Sequence, residues 1–281
     1  MNETKCDKAS RKHTIIITLG ITALALLMLV SIASAAQSTN VWYHKGSELM
    51  SSEKYDEAIK AYEKAIEINP QNSDAWYNKG LALAKLDELD EAVKAFDKAI
   101  EINPQKSDAW YKKGNILSKL GKYTEAIEAY DKAIESKPQN SNAWNNKGVT
   151  LDKIGKLDEA VKAYDKAIEI NPQNSDAWNG KGVALGKLGK PYEAIQAYDK
   201  VIKINPQNSE AWYDKAVTFN KLGESDEAMK AYDKAIEIDP HNSQAWYSKG
   251  LALAKLRRFD EAMKAFMKAT ETNPQQKSLV Q

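Results

Sequence analysis

Residue types that build catalytic and metal centres are scarce in this sequence. The 281 residues include one cysteine and three histidines. A single cysteine excludes an intramolecular disulfide framework and any zinc site built from several cysteines. The 40 basic and 39 acidic side chains nearly cancel, for a formal net charge of +1. With so few cysteines and histidines, the composition predicts no metal site and no cofactor. Because the net charge is close to zero, no global field attracts a polyanion, and no nucleic-acid partner is predicted.

Charge is absent from one long stretch near the N-terminus. Residues 14–36, TIIITLGITALALLMLVSIASAA, carry no charged side chain, and about 20 apolar residues suffice to span a bilayer as a helix. Basic residues outnumber acidic ones in the short preceding segment, 1–13. That excess favours a cytoplasmic N-terminus and places the rest of the chain outside the cytoplasm.

The apolar stretch fits two interpretations, and both stay open here. Its length exceeds the roughly 7–15 apolar residues of a signal peptide, which favours a retained transmembrane signal-anchor. Ala33-Ser34-Ala35 nevertheless has the small-residue pattern of a cleavage site. The predicted protein is therefore either membrane-anchored, with its remainder outside the cytoplasm, or secreted after signal cleavage.

Two rare residue types share one spacing along the rest of the chain. The seven tryptophans are each 34 residues apart, and seven of the eight prolines keep the same period. The tryptophans are Trp42, Trp76, Trp110, Trp144, Trp178, Trp212 and Trp246. Such agreement predicts one unit written seven times over 39–276. The units are 39–72, 73–106, 107–140, 141–174, 175–208, 209–242 and 243–276, followed by a short tail, 277–281.

Local signals in each unit predict two helices joined by a turn. A serine such as Ser73, or Thr39 in the first unit, is a good N-cap for the first helix. Glycines such as Gly121 mark the turn, and an aspartate such as Asp90 suits the start of the second helix. The N-P-Q-N segment ends that helix because the residue before proline avoids the α region. The repeated part is therefore predicted to be all-α.

Glycine recurs in the middle of the first helix, where it costs about 1 kcal/mol relative to alanine. The glycines are Gly46, Gly80, Gly114, Gly148, Gly182 and Gly250. Their repetition predicts the close approach of a neighbouring helix. An alanine and an aromatic residue recur on the second helix, as in Ala92 and Phe96, and are expected to fill the space between the helices.

The pattern W-x2-x-G-x2-L…A-x3-Y/F…P at period 34 resembles the tetratricopeptide repeat. The resemblance implies an α-solenoid, a right-handed superhelix of seven helix–turn–helix units, whose first helices line a concave groove for an extended peptide or a partner helix. One departure is systematic, because lysine stands where the family usually has leucine. These lysines are Lys45, Lys79, Lys113, Lys147, Lys181, Lys215 and Lys249. A lysine stem covers apolar surface while its ammonium reaches water, so the fold is expected to survive.

The resemblance also assigns candidate binding residues on the first helices. Tyrosine or asparagine follows each tryptophan, a mostly polar residue comes next, and a row of lysines recurs further along. The candidate peptide-binding residues are Tyr43, Tyr77, Asn78, Tyr111, Asn145, Asn146, Asn179, Tyr213, Tyr247, Lys85, Lys119, Lys153 and Lys187. Each of them can equally be a default residue of the family. Asn145, Asn179 and Gly180 break the tyrosine row, so 144–186 is predicted to be the selective stretch.

No enzyme is predicted. The segments outside the repeats are too short for a catalytic domain, and no glycine-rich phosphate loop, G-x-S-x-G or H-E-x-x-H is present. With only three arginines, the chain is not expected to clamp a carboxylate as chaperone-binding tetratricopeptide domains do. The tryptophans are interpreted as core residues rather than as a stacking platform.

Two functions remain in view. The first is a scaffold or adaptor that binds a protein or peptide in its groove and is held at, or exported across, the membrane through 14–36. The alternative is an envelope structural or self-assembling spacer protein without a dedicated ligand. Met263, Phe266 and Met267 in the last unit are expected to stay partly exposed, which predicts weak end-to-end self-association through that repeat.

Overall fold

The structure, a computed structural model, describes residues 36–272 and contains helices without strands in that range. The predicted segments 1–13 and 277–281, and the apolar stretch up to residue 35, lie outside it. Fourteen helices are described: α1 36–51, α2 Tyr55–Ile68, α3 Ser73–Lys85, α4 Leu89–Ile102, α5 Ser107–Lys119, α6 Tyr123–Ser136, α7 Ser141–Lys153, α8 Leu157–Ile170, α9 Ser175–Lys187, α10 Pro191–Ile204, α11 Ser209–Leu222, α12 Ser225–Ile238, α13 Ser243–Lys255 and α14 Phe259–Thr272. None of these helices combines the length and the apolar character needed to cross a bilayer. The predicted all-α fold, with two helices in each 34-residue repeat, is confirmed.

The chain forms two compact units, whose boundary lies between Ile116 and Leu117. In the first unit, α3 packs against both α2 and α4. In the second, α9 packs against α8 of the preceding repeat and α10 of its own, and α11 packs in the same way against α10 and α12. Each unit is therefore a stack of helical hairpins, the arrangement of an α-solenoid. The handedness of a superhelix over all seven repeats stays a prediction.

The first helices of repeats two and four to seven are capped by asparagine, and the prediction that serine caps them is wrong. Asn72 Oδ1 accepts a hydrogen bond from the backbone N–H of Ala75 at 3.0 Å, and Asn140, Asn174, Asn208 and Asn242 repeat this contact. Ser73, one residue later, donates its hydroxyl to the carbonyl oxygen of Ala99 at 3.1 Å, on the second helix of its own repeat. The serine thus joins the two helices of the hairpin. Thr39 is not a cap either, because it lies within α1.

The second helices begin one residue before the predicted aspartate. Asp90 lies in the first turn of α4, two residues after the N-cap residue Glu88. The Glu88 side chain makes no capping hydrogen bond. The aspartate still suits that position, because a negative charge stabilises a helix N-terminus. The preceding turn contains a left-handed residue. In four repeats this residue is glycine, with φ of 73° to 82°. In the other three repeats it is Glu53, Asp87 or Arg257, with φ of 57° to 64°.

The core lies inside the hairpins, between small residues of the first helix and one aromatic side chain of the second. Tyr164 is 2% exposed and packs among Ala160, Ala163 and Leu151. A Cβ atom on Gly148 would lie 2.8 Å from the Tyr164 ring, too close for any real contact. The predicted close approach of a neighbouring helix is confirmed, and the group that approaches is the aromatic ring of the same repeat.

The tryptophans are half-buried, so their interpretation as interior core residues is only partly right. Trp178 donates its indole N–H to the carbonyl oxygen of Pro172 at 3.0 Å, and the tryptophans of repeats two to four, six and seven do the same with the proline six residues earlier. This bond ties each first helix to the loop that ends the preceding repeat. The shared period of tryptophan and proline therefore reflects a direct contact between them.

Candidate functional site

The lysine that replaces the family's leucine links neighbouring repeats. Lys181 Nζ lies 2.6 Å from Asp165 Oδ1 on the second helix of the preceding repeat, and 5.5 Å from the centre of the Trp178 ring. Repeats two to seven all have such a pair: Lys79–Glu63, Lys113–Asp97, Lys147–Asp131, Lys181–Asp165, Lys215–Asp199 and Lys249–Asp233. These lysine side chains are only 17–23% exposed. The ammonium groups were expected to reach water. In the structure each one lies instead beside a carboxylate and near the face of an indole ring.

Breaking one of these pairs should weaken the junction between two repeats. In a double-mutant cycle of Lys181→Met and Asp165→Asn, we expect a coupling energy of about 0.5–1 kcal/mol, because Lys181 is largely covered while Asp165 is half-exposed. Urea unfolding of the four proteins measures it, and raised salt should reduce it. The control pair Lys166–Glu169, with both side chains more than half exposed, should couple less. Equal coupling in both pairs would contradict the assignment.

The first-helix face, defined by the two residues that follow each tryptophan, has one register between neighbouring repeats. The Tyr43 hydroxyl accepts a hydrogen bond from Asn78 Nδ2 at 2.9 Å, and the Tyr213 hydroxyl lies 3.3 Å from Ser248 Oγ. Both contacts join residues 35 positions apart. The residue after tryptophan therefore faces the second residue after tryptophan in the next repeat.

The tyrosines of this face are half-buried rather than free to engage a ligand with the whole ring. Tyr43, Tyr77, Tyr213 and Tyr247 lie 5.5–6.2 Å, between ring centres, from the aromatic residue on the second helix of the same repeat. Tyr111 is half-buried as well. Tyr247 is the most open, at 53% exposed. Each ring thus supports the hairpin and offers a ligand mainly an edge.

Asn145 and Asn179 occupy the same position in repeats four and five, and each has an unsatisfied oxygen. Their Oδ1 atoms are buried and accept no hydrogen bond. Asn145 Nδ2 donates to Asn146 Oδ1 at 3.1 Å, so only the amide N–H of Asn145 has a partner. In the register of the face, Asn145 is opposite Gly180, which has no side chain, and Asn179 is opposite Asp214, which has no proton to donate when ionised.

Gly180 is held without a side chain by the neighbouring repeat. A Cβ atom there would lie 2.5 Å from Cζ and 2.8 Å from the hydroxyl oxygen of Tyr164. Gly186, by contrast, has nothing within 4 Å of an added Cβ atom. The Tyr164 ring therefore occupies the space that a side chain at Gly180 would enter, whereas Gly186 leaves open space within the predicted selective stretch.

Asp214 belongs with this group, although the candidate residues chosen from the sequence omit it. Burial, followed by the charge of Glu210, raises the pKa of Asp214 from 3.8 to about 6, while Lys221 opposes the shift. The side chain makes no hydrogen bond or ion pair within the described residues. The 35-residue register, which was not visible in the sequence, is what connects Asp214 to Asn179.

The lysines of the candidate site have different surroundings. Lys85, Lys119 and Lys153 are exposed, and Lys153 Nζ lies 5.6 Å from the Tyr123 ring centre. Lys187 Nζ lies 2.7 Å from Asp152 Oδ2. Within residues 36–272, no group of three or more metal-ligating side chains is arranged to hold an ion.

The measurable cavities of the described residues include grooves along the edge that carries the tryptophans. They have volumes of about 580, 550 and 370 Å³ and are bordered by Trp76, Trp144 and Trp42 respectively. Their walls contain the linking lysines Lys79 and Lys147 and the equivalent Lys45 of repeat one, but none of the predicted binding residues. Sequence reasoning missed these grooves because they follow from the half-burial of tryptophan.

The last repeat keeps its apolar side chains exposed, as expected. Met263 is 62% and Met267 57% exposed, and Phe259 is 65% exposed. Phe266 is half-buried. Self-association through this surface stays a prediction.

The repeats match known sequences over most of the described chain. Family models described as tetratricopeptide repeat match residues 43–107 and 111–175, and also 175–208, 209–242 and 243–276. No curated protein matches the chain.

Several solved structures share the fold. YrrB, described as a TPR protein with an unusual peptide-binding site, is 28% identical with a TM-score of 0.61, and the match covers 68% of this chain and 98% of YrrB. MamA is 29% identical with a TM-score of 0.56, covering 60% and 97% of the two chains. A repeat protein fragment from Cytophaga hutchinsonii, 18% identical with a TM-score of 0.72 and coverage of 85% and 99%, shows the fold alone. Because the family models match most of its length, the chain belongs to the tetratricopeptide repeat family.

Proposed function

We propose that this protein is a non-enzymatic scaffold that binds an extended peptide segment of a partner protein along its first-helix face. The observation that carries the proposal is the pair of buried oxygens on Asn145 and Asn179. A buried acceptor without a donor is destabilising by roughly 1–3 kcal/mol. Such a penalty at two successive repeats is explained if a ligand supplies the missing N–H groups.

Peptide binding is a general property of such repeats, and YrrB is described as having a peptide-binding site. In this chain the tyrosine hydroxyls of repeats one and six already bond to neighbouring repeats. Repeats four and five differ because their acceptors have no such partner. We therefore centre the proposed site on 144–186, within the second compact unit.

The test removes the two acceptors. For the full chain carrying Asn145→Leu and Asn179→Leu, we expect retention of peptides from a randomised library to fall at least about tenfold, the effect of losing roughly 1.4 kcal/mol. Gln196→Leu, an exposed polar-to-apolar change on α10, is the matched control and should bind as the parent does. Unchanged retention by the double variant, with its helical circular dichroism intact, would rule the site out.

We further propose that the stretch 14–36 places the repeats outside the cytoplasm. Support comes from the 23 uncharged residues and the basic residues ahead of them. N-terminal sequencing of the cell-associated protein distinguishes a retained anchor, which begins near Met1, from a product cleaved after Ala35.

The alternative, a self-assembling spacer, is disfavoured by Met267. In repeats one to six this position holds the acid that pairs with the lysine of the next repeat. A second copy stacked in the same register would bring Lys45 to a methionine instead of a carboxylate. The junction that links successive repeats is therefore not reproduced between copies.

A further inference from the structure

We infer that the bound peptide presents a basic side chain, arginine or lysine, to Asp214, and that Asn179 and Asn145 accept further hydrogen bonds from the same segment. The inference rests on the proposed function and deepens it by naming the chemistry of the ligand. It concerns the first helices of repeats four to six, which all lie in the second compact unit.

Three groups in this part of the face are acceptors without a partner. The Oδ1 atoms of Asn145 and Asn179 lack a donor, and the Asp214 carboxylate makes no hydrogen bond or ion pair within the described residues. The same row in the other repeats reads His44, Asn78, Lys112, Asn146, Gly180 and Ser248, so Asp214 is its single acid. A ligand complementary to these three residues has to bring several N–H groups and a positive charge.

The Asp214 carboxylate is half-buried, and its charge acts on a buried hydroxyl of the preceding helix. The buried Tyr198 hydroxyl of α10 has its pKa raised by burial, then by Asp214 and Glu210. Glu210, one turn earlier on α11, adds negative charge, while Lys221 lies near the end of the same helix. A carboxylate that is partly buried beside a second acid binds a cation better than an isolated surface acid does, because water screens it less.

The residues at the Asp214 position in the neighbouring repeats bring no competing charge. They are Gly180 and Ser248, and the Ser248 hydroxyl is engaged with Tyr213. Asp214 is therefore the one charged residue of this row in repeats four to seven. Arginine fits the acceptor set especially well, because its planar fork donates to a carboxylate and an amide oxygen together.

The experiment measures which peptides the full chain retains from sub-libraries with one fixed residue in an otherwise randomised sequence. The fixed residue is arginine, lysine, citrulline or glutamate, where citrulline keeps the shape of arginine without its charge. We expect the arginine and lysine sub-libraries to be retained at least about tenfold better than the citrulline one. Asp214→Asn should abolish this preference while still retaining peptides, and Glu193→Gln, an exposed charge removal on α10, should keep it.

The outcomes separate the inference from the proposed function. Retention of peptides without a basic preference, or a preference that survives Asp214→Asn, overturns the inference and leaves the proposed function standing. No retention from any sub-library overturns both. Thermal unfolding of each variant establishes that it is folded, so loss of preference in a folded Asp214→Asn protein is the supporting result.

Discussion

Replacing Asp214 with asparagine is expected to raise the free energy of unfolding at pH 7 by up to about 3 kcal/mol. The reason is the difference between the ordinary aspartate pKa of 3.8 and the value of about 6 in the folded protein. A raised pKa means that the folded state holds the ionised carboxylate less well than the unfolded chain does. Asparagine keeps the shape of the side chain and removes the charge.

The size of this effect should depend on pH in a defined direction. Well below pH 3.8, Asp214 is protonated in both states, so the parent and Asp214→Asn proteins should be about equally stable. As the pH rises through 4 to 6, the unfolded chain ionises first and the parent loses stability relative to the variant. The groups that act on the carboxylate are Glu210 and Lys221 on α11, and the carboxylate in turn raises the pKa of the Tyr198 hydroxyl on α10.

Urea unfolding of both proteins between pH 4 and pH 8 measures the difference. Glu193→Gln, on the exposed surface of α10, should stay within about 0.5 kcal/mol of the parent throughout. If Asp214→Asn is less stable than the parent at pH 7, or if the gain does not shrink on acidification, the carboxylate is not held as described. A gain in stability with a loss of basic-peptide preference would place Asp214 among residues kept for binding at the expense of stability.

The hairpin repeat could be predicted from the sequence because its signals are local and recur seven times. Tryptophan and proline mark the unit, and mid-helix glycine marks the close approach of the aromatic ring. The choice between Asn72 and Ser73 as the N-cap could not be made, since both residue types cap helices and they are adjacent. Only the structure shows that the serine hydroxyl bonds across the hairpin to Ala99.

The candidate site could be predicted in part. The break in the tyrosine row at Asn145 and Asn179 was visible in the sequence, and the structure adds that the side-chain oxygens of both residues lack a hydrogen-bond donor. Which residues of the next repeat lie opposite these oxygens depends on the 35-residue register between first helices, which is a tertiary contact. The linking lysines could also be predicted only in part. Lysine in place of the family's leucine, as at Lys181, was evident in the sequence, but its partner Asp165 lies on another helix and could not be identified.

Replacing Tyr164 with alanine is expected to lower the free energy of unfolding by about 3–5 kcal/mol, the range for removing a buried aromatic side chain. Tyr164 is 2% exposed, and its ring lies against the backbone of both Gly148 and Gly180. Tyr192→Ala is the control, because Tyr192 is 60% exposed on the next second helix and should change stability by about 0.5 kcal/mol. Similar losses in the two variants would contradict the central role of the Tyr164 ring.

The contact between Tyr164 and Gly180 should reverse the sign of a second substitution. In the parent, Gly180→Ala is expected to destabilise by roughly 1–3 kcal/mol, because the new Cβ atom would lie 2.5 Å from Tyr164 Cζ and the ring would have to shift. In the Tyr164→Ala background that obstacle is gone, and Gly180→Ala should stabilise α9 by up to about 1 kcal/mol through helix propensity. Urea unfolding of the four proteins gives the coupling energy. If Gly180→Ala changes the free energy of unfolding in the same direction in both backgrounds, the Tyr164 ring is not the reason for glycine at this position of repeat five.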